Sequence, residues 1–368
     1  TQVPLNQIFI ASDGSSDATV AIATGAGAQV ADIRPNRGKA GAIVEVVERF
    51  ALRERFAVIL LLDADTQLRG DYLRTGLPLF EAVDVVAVAG RATTVVDPRP
   101  ETWAGRFLTD YRERVYVCLQ FLHKFGQASR HTNAVAIVPG FASMYRTDIL
   151  EEIDIDAPGL AIEDYNMTFE VHAKRLGRIA FDPSCAIAET QDPVTLREYT
   201  QQVRRWNLGF WQTVRRHGFH RGVFWTALAA FVAEVLVSSL ALVIAAVALA
   251  VTTLAWLLAE VWAVGGAIGG TAATIAGTAP PLVLVVGIVV PDVAMTLVAA
   301  GLSRRRPSPT ALLFPVMRVL DALLCLRAVR DAWGGSSDGR WRSPDRRAFA
   351  GASTAVTTTP TTTTAPAP

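Results

Sequence analysis

The sequence is poor in lysine and cysteine, and neither sign of charge prevails. Of its 35 basic residues only three are lysine, and 34 acidic residues bring the formal net charge to +1. Such a chain has no strong positive field to attract a nucleic-acid backbone, so we expect no nucleic-acid partner. The cysteines at positions 118, 185 and 325 have neither metal-site spacing nor the even number of a disulfide framework, which indicates a reducing compartment.

Two long stretches lack charge altogether. Residues 235–259 and 261–291 contain no Asp, Glu, Lys or Arg. About 20 apolar residues are enough to cross the hydrocarbon core of a bilayer. We therefore predict spanning helices at about 235–258 and 281–303, joined by a stretch of small residues. A buried helical hairpin of a soluble protein is the alternative.

Basic residues flank this apolar region on both sides. The sequence RRHGFHR occupies 215–221, before the first predicted span, and RRR occupies 304–306, after the second. By the positive-inside rule both ends lie on the cytoplasmic face of a cell (inner or plasma) membrane. Residues 311–333 are apolar but carry Arg318, Asp321, Arg327 and Arg330. Because charge is costly in mid-membrane, an interfacial amphipathic helix is favoured there over a third span.

The remaining chain divides into a soluble part and a tail. Residues 1–222 contain short apolar runs at 6–12, 56–62 and 84–90, typical of buried parallel strands, with a helical stretch at about 39–54. This alternation predicts an α/β domain whose open sheet binds ligands at the carboxyl ends of its strands. After the membrane region, 223–333, residues 334–368 are basic and then rich in Thr and Pro, which predicts a disordered tail.

Several polar motifs follow the predicted strands or open the predicted helices. Asp63 and Asp65 come directly after the buried strand, where two carboxylates suit a hard divalent cation or simply cap a turn. Asp13 lies in an Asp-Gly turn. Lys39 lies between glycines at a helix start, a place that favours phosphate, although a solvated lysine is equally compatible.

Two further motifs lie on predicted helices. Glu163 and Asp164 open a helix, either complementing its dipole or supplying a general base. If residues 200–212 are helical, Gln202, Arg205 and Trp206 share one face, since they stand at i, i+3 and i+4. That face either grips a ligand or anchors the helix at the membrane interface.

The order of these motifs is more informative than any one of them. In sequence come Asp-Gly-Ser-x-Asp, Gly-Lys-Ala-Gly, Asp-x-Asp, Pro-Gly-x-x-x-x-Tyr-Arg, Glu-Asp and Gln-x-x-Arg-Trp, then the apolar segments. This series resembles the family 2 membrane-integrated glycosyltransferases, the group of cellulose, chitin, hyaluronan and poly-N-acetylglucosamine synthases. The resemblance implies a GT-A-like, Rossmann-like nucleotide-sugar-binding domain followed by transmembrane helices.

The resemblance also implies an activity. It would be inverting transfer of a sugar from a UDP-linked donor to a growing polysaccharide, with a β-linkage and with Mg²⁺ or Mn²⁺. The lipid bilayer and an accessory export subunit would be further partners. The alternatives are a single-sugar transferase acting on a lipid or short glycan, and a non-catalytic truncated relic.

Residue roles follow from the same resemblance. On the donor side, Asp13 would contact the base or ribose, Lys39 the diphosphate and Asp63 the nucleotide. Arg205 would pair with phosphate, and Asp65 would hold the metal ion.

On the acceptor side, Gly140 would lie near the sugar, Gln202 would bond to hydroxyls, and Trp206 would stack on a sugar ring. Asp164 would be the catalytic base. Members of this family carry, before the position of Asp13, a strand that ends in a Pro-x-(Tyr/His)-Asn-Glu type segment. The twelve residues before Asp13 do not contain it, so we expect that segment upstream of Thr1.

Overall fold

A computed structural model describes residues 3–95 and 99–334 of the chain. The strands are β1 (Phe9–Asp13), β2 (Gln29–Ile33), β3 (Val58–Leu62), β4 (Thr66–Leu68), β5 (Val85–Ala89), β6 (Arg91–Thr94), β7 (Ala142–Arg146), β8 (Arg178–Ala180) and β9 (Ile187–Thr190). The helices are α1 (Thr19–Gly25), α2 (Gly38–Arg49), α3 (Leu52–Arg55), α4 (Tyr72–Gly76), α5 (Trp103–Val117), α6 (Phe125–Gln127), α7 (Glu163–Ala173), α8 (Leu196–His217), α9 (Val223–Trp256), α10 (Gly266–Thr278), α11 (Pro281–Ser303) and α12 (Phe314–Gly334). Short 3-10 turns occupy Leu5–Gln7, Leu77–Glu81 and Pro309–Leu313, and π-helical segments occupy Cys118–Lys124 and Leu257–Val261.

The strands form mixed sheets, so the prediction of parallel strands was wrong in part. The described strands assemble as a parallel pair β1–β2, a four-stranded sheet in the order β3-β7-β5-β8, and a three-stranded sheet in the order β4-β9-β6. Strand β7 lies between β3 and β5 and runs antiparallel to both, so β3 and β5 run in the same direction without pairing. The reason is that the segment PGFASMYR contributes a central strand as well as a loop.

The core of this α/β domain lies between the sheet and its helices. All five residues of β5 are buried, which explains why that run is continuously apolar. Helix α2 packs Ala42, Val46 and Val47 into the same cluster as Tyr145 of β7. These layers fix the carboxyl end of β3 and the N-terminal ends of α2 and α7 at one edge of the domain.

Helix α8 begins with a capping box. The Thr195 hydroxyl accepts a hydrogen bond from the backbone N–H of Glu198 (3.2 Å), and a Glu198 carboxylate oxygen accepts one from the N–H of Thr195 (3.3 Å). The helix then continues for 22 residues and buries Phe210 and Trp211 against α9 and α12. The predicted helix at 200–212 is therefore confirmed and lies inside a longer one.

The apolar region is a helical hairpin that presents most of its surface outward. Two stretches of the described chain, Val223–Val261 and Gly266–Ser303, are long and apolar enough to cross a membrane. Only 11% and 17% of their most apolar windows are buried inside the protein. The small-residue stretch between the predicted spans is itself helical, as α10. Core helices of soluble proteins are mostly buried, so this exposure favours a lipid environment over a soluble hairpin.

The end of α11 returns to the α/β domain. The Arg305 guanidinium, just after α11, donates hydrogen bonds to the hydroxyls of Thr94 (3.1 Å) and Thr93 (3.2 Å) in β6.

Helix α12 then packs along α8 and α9 and buries Cys325 and Ala328 against them. Among the described residues it is not a candidate span, and the interfacial placement of 311–333 stays a prediction. The predicted disordered tail, from residue 335 onward, lies outside the described residues.

Candidate active site

Lys39 connects three motifs that lie far apart in sequence. Its ammonium lies 2.7 Å from a carboxylate oxygen of Asp63 and 3.0 Å from one of Glu163, and it donates a hydrogen bond to the carbonyl oxygen of Gly140 (3.1 Å). Lys39 comes from the first turn of α2, which begins at Gly38 with a φ of +76°, in the left-handed region that favours glycine. The sequence motifs therefore meet at the carboxyl end of β3.

Gly140 lies at the centre of this group, and a side chain there would displace the ends of the Glu163 and Lys39 side chains. A Cβ atom at this position would lie 2.9 Å from a Glu163 carboxylate oxygen and 3.1 Å from the Lys39 ammonium nitrogen. The Gly140 N–H donates a hydrogen bond to a carboxylate oxygen of Asp164 (3.3 Å). Nearby, the Asp63 N–H donates to the carbonyl of Phe141 (3.1 Å), so β3 and the loop before β7 hold each other in place.

Asp164 lies in the first turn of α7, with one carboxylate oxygen accepting a hydrogen bond from the Tyr165 N–H (2.7 Å). Its pKa is raised to about 7, chiefly by burial and secondly by the Glu163 carboxylate, against the opposing effect of Lys39. A carboxyl group with a pKa near 7 both accepts and releases a proton readily near neutral pH. That is the property of a general base.

Lys39 keeps its positive charge although burial disfavours a charged ammonium. Burial acts to lower the pKa of its ammonium, but the carboxylates of Glu163 and Asp63 outweigh that effect and hold the pKa above the usual range. Lys39 therefore stays positive throughout the physiological pH range. A fixed cation at a helix N-terminus can attract a phosphate group.

Asp13 has a structural part in the same region. One of its carboxylate oxygens accepts a hydrogen bond from the Arg37 N–H (2.7 Å), and its backbone carbonyl accepts one from the Asn36 side chain (2.7 Å). Asp13 thus fixes the turn that leads into α2 and Lys39.

Gln202 and Trp206 lie together on one face of α8, but their neighbour is Arg112 of α5. The Arg112 guanidinium donates a hydrogen bond to the Gln202 side-chain oxygen (2.9 Å) and lies 4.2 Å from the centroid of the Trp206 ring. Sequence reasoning treated the indole as open to a sugar, whereas one of its faces is covered by this cation. Arg205 is half-buried on the same helix.

Comparison with known families adds to this geometry. The family model described as glycosyl transferase family group 2 matches residues 58–259, from β3 through the π-helical end of α9. The match covers more than half of the chain and includes Asp63, Gly140, Asp164 and Trp206. The chain belongs to glycosyl transferase family group 2.

Solved structures that resemble this family 2 glycosyltransferase include one that shares only a low sequence identity with it. The mannosyltransferase PcManGT from Pyrobaculum calidifontis, solved with GDP-Man and Mn²⁺, shares 17% identity over 85% of this chain and 76% of the other, with a TM-score of 0.42. GDP-Man and Mn²⁺ are ligands of that enzyme. No curated protein sequence matches the chain.

Asp65 of the glycosyltransferase fits a metal ion that is shared with a substrate. Asp65 is half-buried, two residues after Asp63, at the carboxyl end of β3. Within residues 3–95 and 99–334, no group of three or more His, Cys, Asp or Glu side chains could hold a metal ion. Mg²⁺-type ions often use one or two carboxylates and complete their coordination with substrate phosphates. The residues present fit an ion that arrives with a diphosphate.

Sequence reasoning missed the buried network around Arg112. This guanidinium is 2% exposed, lies 3.4 Å from a carboxylate oxygen of Asp192 and reaches the Tyr116 hydroxyl (3.4 Å). Burial raises the pKa of Asp192 to about 6, although Arg112 acts to lower it. No local pattern marks Arg112, because its partners are 80 and 90 residues away in sequence. Arg112 therefore links α5 to α8, the helix that carries Gln202 and Trp206.

A second lysine near Asp164 also escaped the sequence analysis. Lys124 ends the π-helical segment Cys118–Lys124, is buried, and has its ammonium 5.4 Å from the centroid of the Phe181 ring. Burial lowers the pKa of Lys124 to about 8, and the nearby Asp164 carboxylate opposes that shift. Single-turn π-helical segments often mark functional sites, which is the one signal that points to this residue.

Proposed function

We propose that the protein is an inverting, membrane-integrated glycosyltransferase of the cellulose and chitin synthase type. It would transfer a sugar from a UDP-linked donor to a growing polysaccharide and form a β-linkage. The observation that carries this proposal is the meeting of Lys39, Asp63, Glu163, Gly140 and Asp164 at the carboxyl end of β3, which puts a cation for a diphosphate beside a base for a hydroxyl.

The proposed reaction is a single displacement. The acceptor hydroxyl attacks the anomeric carbon, the new C–O bond forms as the bond to the nucleotide diphosphate breaks, and the hydroxyl proton passes to Asp164. Its pKa of about 7 leaves much of Asp164 ionised at neutral pH and ready to accept that proton. Attack from the face opposite the leaving group inverts the anomeric centre, so an α-linked donor gives a β-linked product.

The donor would lie across the N-terminal ends of α2 and α7. Lys39 would attract the diphosphate, Asp13 and Asp63 would shape the nucleotide pocket, and Arg205 would pair with phosphate from α8. Asp65 would hold Mg²⁺ or Mn²⁺ on the diphosphate; when bound, that ion neutralises charge that develops on the leaving group.

The acceptor would bind between Gly140 and the face of α8 that carries Gln202 and Trp206. The backbone at Gly140 can approach a sugar closely because it has no side chain. Trp206 would stack on a sugar ring with the indole face that Arg112 leaves uncovered, and Gln202 would bond to hydroxyls while Arg112 fixes its amide.

Nucleotide release and product size test the proposal directly. Membranes containing the protein are incubated separately with UDP-linked and GDP-linked sugars, and nucleotide diphosphate release is measured against control membranes that lack the protein. We expect release with a UDP-sugar and a ladder of products. Release with a single added sugar would favour the single-sugar transferase. A rate no higher than the control for every donor would favour the relic and overturn the proposal.

Trp206→Ala should weaken acceptor binding more than donor binding. Removing the indole removes stacking area, so we expect a higher acceptor KM, shorter products and nearly unchanged donor hydrolysis. Chromatographic sizing of the products against hydrolysis in the same samples measures the split. Trp103→Ala is the matched control, because that indole is 54% exposed at the start of α5. Normal elongation by Trp206→Ala would make α8 a membrane anchor and contradict its role in the site.

The proposed location is the inner or plasma membrane, with the catalytic domain on the cytoplasmic side. Val83, 88% exposed in the α/β domain, and Trp262, 59% exposed at the far end of the hairpin, are suited to a labelling test. Val83→Cys should react with a membrane-impermeant maleimide only after cells are permeabilised, whereas Trp262→Cys should react in intact cells. The reverse pattern would show the opposite orientation, and equal labelling of both in intact cells would exclude a spanning hairpin.

A further inference from the structure

We infer that a groove between α9, α11 and α12 binds the headgroup of an anionic membrane phospholipid through Arg318. This inference rests on the proposed membrane insertion of the hairpin but not on sugar transfer. The groove is separate from the Lys39 group described above.

The groove has an apolar length and a polar end. Its volume is about 200 Å³. Leu242 and Ala245 of α9 line it opposite Gly287 and Ile288 of α11, and Asp292 and Arg318 close the polar end. A Cβ added at Gly287 would meet no atom within 4 Å, so the groove is open at that point. This shape suits an amphiphile with a polar head and an apolar chain.

Two guanidinium groups share one carboxylate at the polar end. Asp292 is 1% exposed, and its two carboxylate oxygens accept hydrogen bonds from Arg114 of α5 (2.7 Å) and Arg318 of α12 (3.3 Å). The bond from Arg114 is the shorter of the two, so Arg318 is the less tightly held guanidinium. The next carboxylate of α12, Asp321, accepts hydrogen bonds from Tyr111 and Tyr199 and lies within electrostatic range of Arg114.

Arg318 is the member of this group that can reach a ligand. Its side chain is 44% exposed, whereas those of Arg114 and Asp292 are buried. A guanidinium has five N–H donors, and the bond to Asp292 uses one of them. Guanidinium groups bind phosphate oxygens through two parallel donors, which favours a phosphate headgroup over an uncharged one.

The depth of the groove also fits a lipid headgroup. Leu242 lies seven residues into the charge-free run that begins at Val235, or about 10 Å along the helix. Asp292 lies at the middle of the span predicted at 281–303, but its partner Arg114 belongs to α5 of the α/β domain, so the polar end of the groove lies against that domain. From there the long side chain of Arg318 can extend to the headgroup level. Ala245, three residues further along α9 than Leu242, and Gly287, five residues before Asp292, would contact the acyl chain that follows the headgroup.

A lipid in this groove would stabilise the junction between the membrane helices and the catalytic domain. Arg114 belongs to α5, two residues from the Arg112 that holds Gln202 and Trp206. A headgroup on Arg318 would reinforce the group that joins α5, α11 and α12. Anionic lipid would therefore act as a structural ligand of the enzyme.

Native mass spectrometry of the full-length protein in detergent tests this inference without donor or turnover. We expect phosphatidylglycerol to bind more tightly than phosphatidylcholine, and Arg318→Gln to weaken phosphatidylglycerol binding about tenfold, as loss of a charged hydrogen-bond donor does. Phosphatidylcholine binding should not change. The matched control is Arg327→Gln, on the same helix with its side chain 67% exposed, which should bind as the parent does.

Three results would overturn the inference. These are equal binding of the two lipids, parental binding by Arg318→Gln, and displacement of the lipid by inorganic phosphate alone, which would indicate a simple phosphate site. If Arg318→Gln does not fold, Arg318→Lys replaces it and should show intermediate binding because it keeps the charge but loses the paired donors; parental binding by that variant would likewise overturn the inference. Lipid binding without sugar transfer would refute only the proposed function.

Discussion

Replacing Asp164 with asparagine should lower turnover by roughly 10²–10⁴-fold, the usual span for loss of a general base. Asparagine keeps the size of the side chain and one oxygen that can accept from either the Gly140 or the Tyr165 N–H group, but it cannot take the acceptor proton. Donor binding should therefore change little. Steady-state transfer rates and donor titration of the same preparations measure the two effects separately.

The pH dependence of the parent enzyme provides a second measurement of the same group. Because the pKa of Asp164 is about 7 and the ionised form is the active one, kcat/KM should fall about tenfold per pH unit below that value and level off above it. Glu163→Gln is the matched control. It removes the neighbouring like charge, so it should move the acidic limb to lower pH.

Two results would contradict this assignment. Transfer by Asp164→Asn at the parental rate would place the base elsewhere, with Glu163 the next candidate. An acidic limb that stays at the same pH in Glu163→Gln would mean that the titrating group does not neighbour Glu163.

Much of the site could be predicted because its residues occupy positions with local signals. Asp63 directly follows an apolar strand, Lys39 lies in a glycine-rich helix start, and Asp164 opens a helix. The carboxyl end of β3 and the N-terminal ends of α2 and α7 meet at one edge of the domain, so local signals were enough to bring the three together.

The rest depended on contacts that no short window of sequence contains. Strand β7 was not among the predicted strands, and only its pairing with β3 and β5 shows it to be a central strand. Arg112 looks like an ordinary helix-surface charge until α8 covers it. Burial of such a charge is decided by tertiary packing across 80 to 90 residues, which residue type and spacing do not encode.

In the membrane region, too, local sequence predicted the helices but not their tertiary contacts. Length and lack of charge were enough to predict the two apolar helices, since the bilayer imposes those properties on any spanning segment. The Asp292 ion pairs were not predicted, because an aspartate within an apolar helix indicates a buried partner without saying which one. Its partners come from α5 and α12, on opposite sides of α11 in the sequence.

Replacing Asp65 with asparagine should abolish metal-dependent binding of the nucleotide diphosphate and lower transfer by roughly 10²–10³-fold, since metal stabilisation of developing charge is worth several kcal/mol. Asparagine keeps the shape of the side chain but not the charge that a divalent cation requires. Calorimetric titration of UDP with Mn²⁺ and with excess EDTA measures the binding. In the parent, Mn²⁺ should tighten binding; in Asp65→Asn the two titrations should coincide.

The matched control for that variant is Asp71→Asn, a half-exposed carboxylate six residues further on that lies 3.9 Å from Arg74. It should behave as the parent, because it is an equal loss of charge away from the carboxyl end of β3. Asp63→Asn should differ from both: it removes a carboxylate from Lys39, so we expect altered nucleotide affinity that still responds to Mn²⁺. If Asp65→Asn retains full activity in excess EDTA, no metal ion acts at this carboxylate, and Lys39 with Arg205 must neutralise the diphosphate by themselves.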